Sequence, residues 1–115
     1  MLNVNTVAFL ATEPRKLEGK FGEGSIGTVG FKNGYSNEKS YIDYISWGKP
    51  GKFLNNYCRK GSQLYLVGHL EQVAYTSSAG IEVDKLRFVI TTIEVINTSF
   101  SRSEQDRISS ETAKI

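Results

Sequence analysis

One stretch of this 115-residue chain, YIDYISWGKPGKFLNNYCRKGSQLYLVGHL at positions 41–70, leaves few choices of fold. Over 41–47 the side chains alternate. Tyr41, Asp43, Ile45 and Trp47 share one face of an extended segment, and Ile42, Tyr44 and Ser46 share the other. Gly48 and Pro50 end the alternation, and Pro50 suits the first turn of a helix. Phe53, Leu54, Tyr57 and Cys58 then fall on one helical face. The spacing predicts a helix over 50–60, with Arg59 and Lys60 in its last turn and Gly61 as its cap. Alternation resumes over 63–70, with Leu64, Leu66, Gly68 and Leu70 against Tyr65, Val67 and His69. The remainder of the chain must close around this strand–helix–strand unit.

Before it, residues 2–11 predict a strand with Val4, Val7, Phe9 and Leu10 buried on at least one face. Glu13-Pro14 ends it, because proline has no ladder donor. Residues 15–24, rich in glycine and charge, read as a loop. Ile26, Val29 and Phe31 mark a strand over 25–32. Gly27 and Gly30 within it predict a sharp bend or a close approach. Asn33-Gly34 is a turn signal. After Leu70, pairing extends to Tyr75, Ser77 to Gly80 forms a loop tip, and 81–96 returns as the last strand. Five strands with one helix between the third and fourth match the OB-fold, a partly open Greek-key barrel and an all-β class. Residues 1–96 form this single domain, and 97–115 read as a polar, disordered tail without net charge.

The net charge of +2 decides little, but its distribution says more. Residues 1–60 carry nine Lys and Arg against five Asp and Glu, while 61–115 carry five against seven. On charge alone, a binding surface and an ordinary solvated one are equally good readings. No apolar run approaches the ~18 residues of a membrane helix, and the opening MLNVNTVAFLATEP lacks the pattern of a signal peptide. With a single cysteine, Cys58, the reading is cytoplasmic and associated with the nucleoid. His69 and Cys58 have no partners at metal-ligand or catalytic spacing, and no phosphate-cradling Gly-x-x-x-x-Gly-Lys loop is present. No enzyme, metal or cofactor is therefore expected. Aromatic rings beside basic side chains, as in 41–60, are instead what holding an unpaired nucleic-acid strand requires. Alternation alone favours a core role for Tyr41 and Trp47.

The segments YIDYISWGK and NYCRKGSQLYLVGHL, with Tyr75 ahead of TSSAG, resemble the bacterial-type single-stranded DNA-binding protein family. In that family two aromatics six residues apart end in an aromatic-Gly-Lys step, here Tyr41, Trp47, Gly48 and Lys49. A Tyr-x-x-Lys-Gly-Ser step follows, here Tyr57 through Ser62, and then Gly68-His69-Leu70. The resemblance covers about residues 1–96 and implies sequence-independent binding and protection of single-stranded DNA in replication, recombination and repair. It implies base stacking on Tyr41, Trp47 and Tyr75, joined by Tyr35, and phosphate contacts from Lys49, Arg59 and Lys60. Phe31 stands between core and binding roles, and Lys32, Lys39, Lys85 and Arg87 are further candidates from loops or strands. It also implies a homo-oligomer, usually a tetramer, with a dimer as the alternative. Three departures stand out. Glu71-Gln72-Val73-Ala74 precedes Tyr75 where the family is often basic, and Ala8 replaces a usual glycine. The chain closes on SSETAKI, without the acidic tip that recruits replication and repair proteins. The alternative expectation is accordingly a primosomal, plasmid or phage accessory protein, an oligomeric adaptor on the same barrel.

Overall fold

The computed structural model of the chain describes residues 1–20 and 22–97. Its elements are β1 (Leu2–Leu10), β2 (Arg15–Gly19), β3 (Gly22–Lys32), β4 (Lys39–Trp47), α1 (Lys49–Tyr57), β5 (Gln63–Thr76) and β6 (Glu82–Asn97). The strands pair in the order β1-β5-β6-β4-β3-β2, and β1 also pairs with β3, closing a barrel. β1 manages both because its register changes hands. Leu2 to Phe9 lie opposite Leu70 to Gln63 of β5, while Phe9 and Leu10 lie opposite Gly30 and Val29 of β3. Among the described residues only β4 and β6 run parallel, over Tyr44–Phe88 and Ile45–Val89.

This is the OB barrel with its single short helix, but it has one strand more than the sequence predicts. Residues 15–19, read as loop, form β2 and pair with the start of β3, Arg15 opposite Ile26 and Gly19 opposite Gly22. The stretch has no apolar alternation because it is an edge strand, with little of it buried. Charge supports it instead, since Lys16 lies 3.1 Å from Glu18 on the same strand and 3.6 Å from Glu23 across on β3.

The helix is shorter than predicted. It ends at Tyr57, and Cys58 caps it in an extended conformation (φ −120°, ψ 157°), donating its N–H to the Leu54 carbonyl. Arg59 and Lys60 therefore lie beyond the last turn. Gly61, at φ 93°, serves a separate turn in which the Ser62 N–H bonds to the Arg59 carbonyl at 2.9 Å. The cause is Cys58 itself, which is buried and takes the chain out of the helical path. Tyr57, expected on the buried face, is 62% exposed. The tail expected over 97–115 lies outside the described residues, apart from Asn97 at the end of β6.

The core gathers Leu10, Val29, Tyr44, Leu54, Leu64, Leu66, Phe88 and Ile90, all at 0–1% exposure. In β1 the inward positions are Val4, Ala8 and Leu10, not Val7, which is exposed. Three serines are buried with the core, and each has a partner. Ser25 and Tyr44 hydroxyls lie 2.9 Å apart, Ser46 donates to the Ile90 carbonyl at 2.9 Å, and Ser62 accepts from the Arg59 N–H at 3.1 Å. The helix seats on β3 and β4 at Gly51, where a β-carbon would meet the Ser46 carbonyl oxygen at 2.2 Å.

Candidate nucleic-acid interface

Because Tyr44 of β4 points into the core, its neighbours on the other parity point out. Tyr41, Asp43 and Trp47 form one outward row, and Ile45, at the same parity, is buried. Each end of the row is an aromatic, and the Trp47 end is bedded on glycine. Trp47 lies opposite Gly24, and its ring covers both Gly24 and Gly19, where β-carbons would come within 2.7 Å and 2.5 Å of it. This explains why β2 and β3 are glycine-rich where they meet. Trp47 is half-buried by this contact, which fixes its indole without burying it in the barrel. At the other end Tyr41 lies opposite Gly30 and is 59% exposed.

Gly30 is also opposite Phe9, whose ring fills the space a β-carbon would take, 2.3 Å away. The Phe9 and Tyr41 rings meet edge to face, centroids 6.3 Å apart and planes at 87°. Lys39 places its Nζ 5.0 Å from the centroid of Phe9, and Lys32 pairs directly opposite Lys39. Phe31, one position over, points the other way and packs against the core. The sequence reading assigned Phe9 to the buried side. The signal that places it outside is the parity it shares with the polar Asn3 and Asn5.

The middle of the face is internally neutralised. Asp43 accepts from the Thr28 hydroxyl at 3.0 Å and forms an ion pair with Lys85 of β6. The Lys85 ammonium, with help from Thr28 and against partial burial, holds the Asp43 carboxyl below its usual range, and Asp43 in turn raises Lys85. Lys85 also sits 5.7 Å from the ring centroid of Tyr75, near the end of β5. Next along, Arg87 is engaged by Glu71, its cross-strand partner. Beside these pairs lies a groove of about 590 Å³ lined by Thr12, Arg15, Thr28, Asp43 and Arg87.

The structure thus brings Tyr41, Trp47, Lys39, Lys32, Lys85, Arg87 and Tyr75 onto the outward face of the barrel. Lys49 follows Trp47 and Gly48 directly and is exposed in the first turn of α1. Tyr35 is fully exposed on the 33–38 loop, beyond the sheet. Arg59 and Lys60 stand apart, on the turn that ties β1 to β5 through the Gly61 N–H and Leu10 carbonyl at 2.8 Å. Cys58 is buried, which pushes its thiol up to about 12 and removes it from any nucleophilic role. His69 is half-buried opposite Asn3 of β1. Among the described residues no cluster of His, Cys, Asp and Glu could hold a metal ion, and no helix is long and apolar enough to cross a membrane.

Comparison with known proteins agrees with this geometry. A single-stranded DNA-binding protein of Malacoplasma penetrans (strain HF-2) is 26% identical over 110 residues, spanning 94% of this chain and 58% of the relative. The chain therefore spans less than two thirds of that curated relative's length. The crystal structure of a mitochondrial single-stranded DNA binding protein from S. cerevisiae superposes with a TM-score of 0.68 at 14% identity, covering 84% of this chain and 96% of the other. The SSB domain of a Synechococcus sp. protein gives 0.65 at 16% identity, covering 82% and 94%. At those identities the likeness is one of fold. Residues 18–96 match the model of the single-strand binding protein family, and with the aromatic row, the barrel and its one helix they fall together: the chain belongs to that family.

Proposed function

We propose that the chain binds single-stranded DNA without reading its sequence, in the cytoplasm, protecting the strand during replication, recombination and repair. The observation that carries this reading is the outward row of β4, where the Trp47 ring rests on Gly19 and Gly24 and Tyr41, braced edge to face by Phe9, stays 59% exposed. Stacking on such rings is worth ~1–3 kcal/mol per base and tolerates any base. Lys49 follows the Trp47 ring, and Lys39 and Lys32 flank Tyr41, so phosphates meet cations at both ends of the row. Tyr75 and Tyr35 extend the stacking surface. Arg59 and Lys60, which the turn holds apart, serve the later course of a longer strand. The protein works by binding and not by catalysis. It assembles as a homo-oligomer, a tetramer, through residues 1–10 and the outer side of the last strands, which multiplies contacts on one strand.

A second reading is favoured by one observation. Lys85 and Arg87, the cations nearest Tyr75, are already engaged by Asp43 and Glu71. A face neutralised in this way suits an oligomeric adaptor with weak DNA affinity. Titrating Trp47 emission with oligo-dT at low salt separates the two. Quenching that saturates at micromolar protein or below, and is stronger than with duplex DNA or RNA, supports strand binding; no quenching sinks it. Sedimentation then distinguishes a tetramer from a dimeric adaptor.

A further inference from the structure

The outward row of β4 does not end at Tyr41. Phe9 of β1 continues it across the closure of the barrel, half-buried, with its ring seated over Gly30 and at right angles to Tyr41. Asn3, Asn5 and Val7 are the other outward positions of β1, so Phe9 is the one aromatic among them. Two lysines accompany it. Lys32 and Lys39 are directly opposite each other on β3 and β4, a like-charge arrangement that costs stability unless an anion lies between them. Neither has a carboxylate partner among the described residues, whereas Lys85 and Arg87 both do. Phe9, Gly30, Lys32, Asn37, Lys39 and Gln63 line a groove of about 270 Å³ at this corner. The face therefore has a neutralised branch towards Tyr75 and an uncompensated positive branch towards Phe9.

We propose that Phe9 is a stacking platform for single-stranded DNA, and that Lys39 and Lys32 hold the phosphates beside it, so that a bound strand passes from Tyr41 onto β1. The inference rests on the strand-binding reading above. Because the two rings stand at 87°, bases on Phe9 and Tyr41 cannot remain stacked on each other, and the strand turns at this corner. Lys39 now lies over the Phe9 ring. A base taking that ring face displaces the ammonium, which then meets the adjacent phosphate.

The test uses the full chain and oligo-dT. Phe9→Leu keeps an apolar side chain over Gly30 but removes the π-face, and it should weaken binding by about 5- to 100-fold. Phe9→Tyr should recover wild-type affinity to within about threefold, since a ring is restored. Quenching of Trp47 at saturation should survive in both, because the six-residue spacing places Trp47 about 20 Å from Tyr41 along the strand. Lys39→Gln should lower the salt slope by about 0.7, which a purely structural role for the Lys39–Phe9 contact would not do. Phe9→Leu binding within twofold of wild type overturns the proposal. Should that variant not fold, photo-crosslinking wild-type protein to 5-iodouracil oligonucleotides decides. Adducts on the peptide carrying Phe9 support the proposal, and adducts at Tyr41 or Trp47 with none at Phe9 overturn it while leaving strand binding intact. No adduct at any of the three rings, with no quenching of Trp47, overturns strand binding and this proposal together.

Discussion

Asp43 engages Lys85, a proposed phosphate contact, in an internal ion pair. Its carboxyl is held low by Lys85, so the pair's contribution is present above the unfolded carboxyl value of about 4 and is lost as pH falls through the lower folded value. Lys85, raised, keeps its part below about 10 and loses it as pH rises through the higher folded value. Neutral pH therefore never releases the lysine. Asp43→Asn should release it. We expect tighter oligo-dT binding with a salt slope steeper by about 0.7, and a stability change of no more than ~1 kcal/mol for an exposed pair; an unchanged slope would remove Lys85 from the strand's path. Cys58 gives a second prediction. Its thiol is raised to about 12 by burial, so the native state keeps a proton that the unfolded chain gives up from pH about 9. Stability should fall as pH rises from about 9 to 12, with Tyr44, raised by burial, adding the same sign above about 10. Chemical denaturation across pH checks this, and Cys58→Ala should flatten the decline between pH 9 and 10. At this scale the sequence reveals what periodicity controls. The opposite facings of Tyr44 and the Tyr41–Trp47 row follow from a period of two. The Asp43–Lys85 pair and the Phe9–Tyr41 corner do not, because each joins residues distant in sequence whose meeting depends on strand register.

Among the elements, α1 is the one whose beginning was legible and whose end was not. Pro50 and Gly48 announce its start from local backbone chemistry alone. Its stop is set by Cys58 entering the core, a tertiary effect that outweighs the favourable placement expected of Arg59 and Lys60. The β2 strand was missed for a related reason, since an exposed edge needs no apolar alternation, and its function is to bring Gly19 under Trp47. Gly51 makes the helix's seat testable. A methyl there collides with the Ser46 carbonyl, so Gly51→Ala should lift α1 from β4 and cost about 1–3 kcal/mol in urea denaturation. Gly24→Ala would press on the Trp47 ring directly. We expect that variant to shift the emission maximum and to weaken oligo-dT binding, with fluorescence and titration on one sample as the check.

For the molecule as a whole, the sequence specified the barrel through its middle third and left closure to long-range pairing. The proposed binding face is assembled from β1, β3, β4, β5 and β6, so its charge balance could not be inferred from the modest +2 total. Closure has a further consequence, in time. β1 has no partner near it in sequence, because its ladder is with residues 63–70 and its last two positions bond to Gly30 and Val29. During synthesis at ~5–20 residues per second, the first strand therefore waits roughly 3–10 s for β5 to be made. Non-local closure of this kind also places refolding in the slow range, of order milliseconds to seconds. In that interval Val4, Ala8, Leu10 and the Phe9 ring are unsheltered, which makes the start of the chain the segment most exposed to chaperones and to misassociation while the protein is being born.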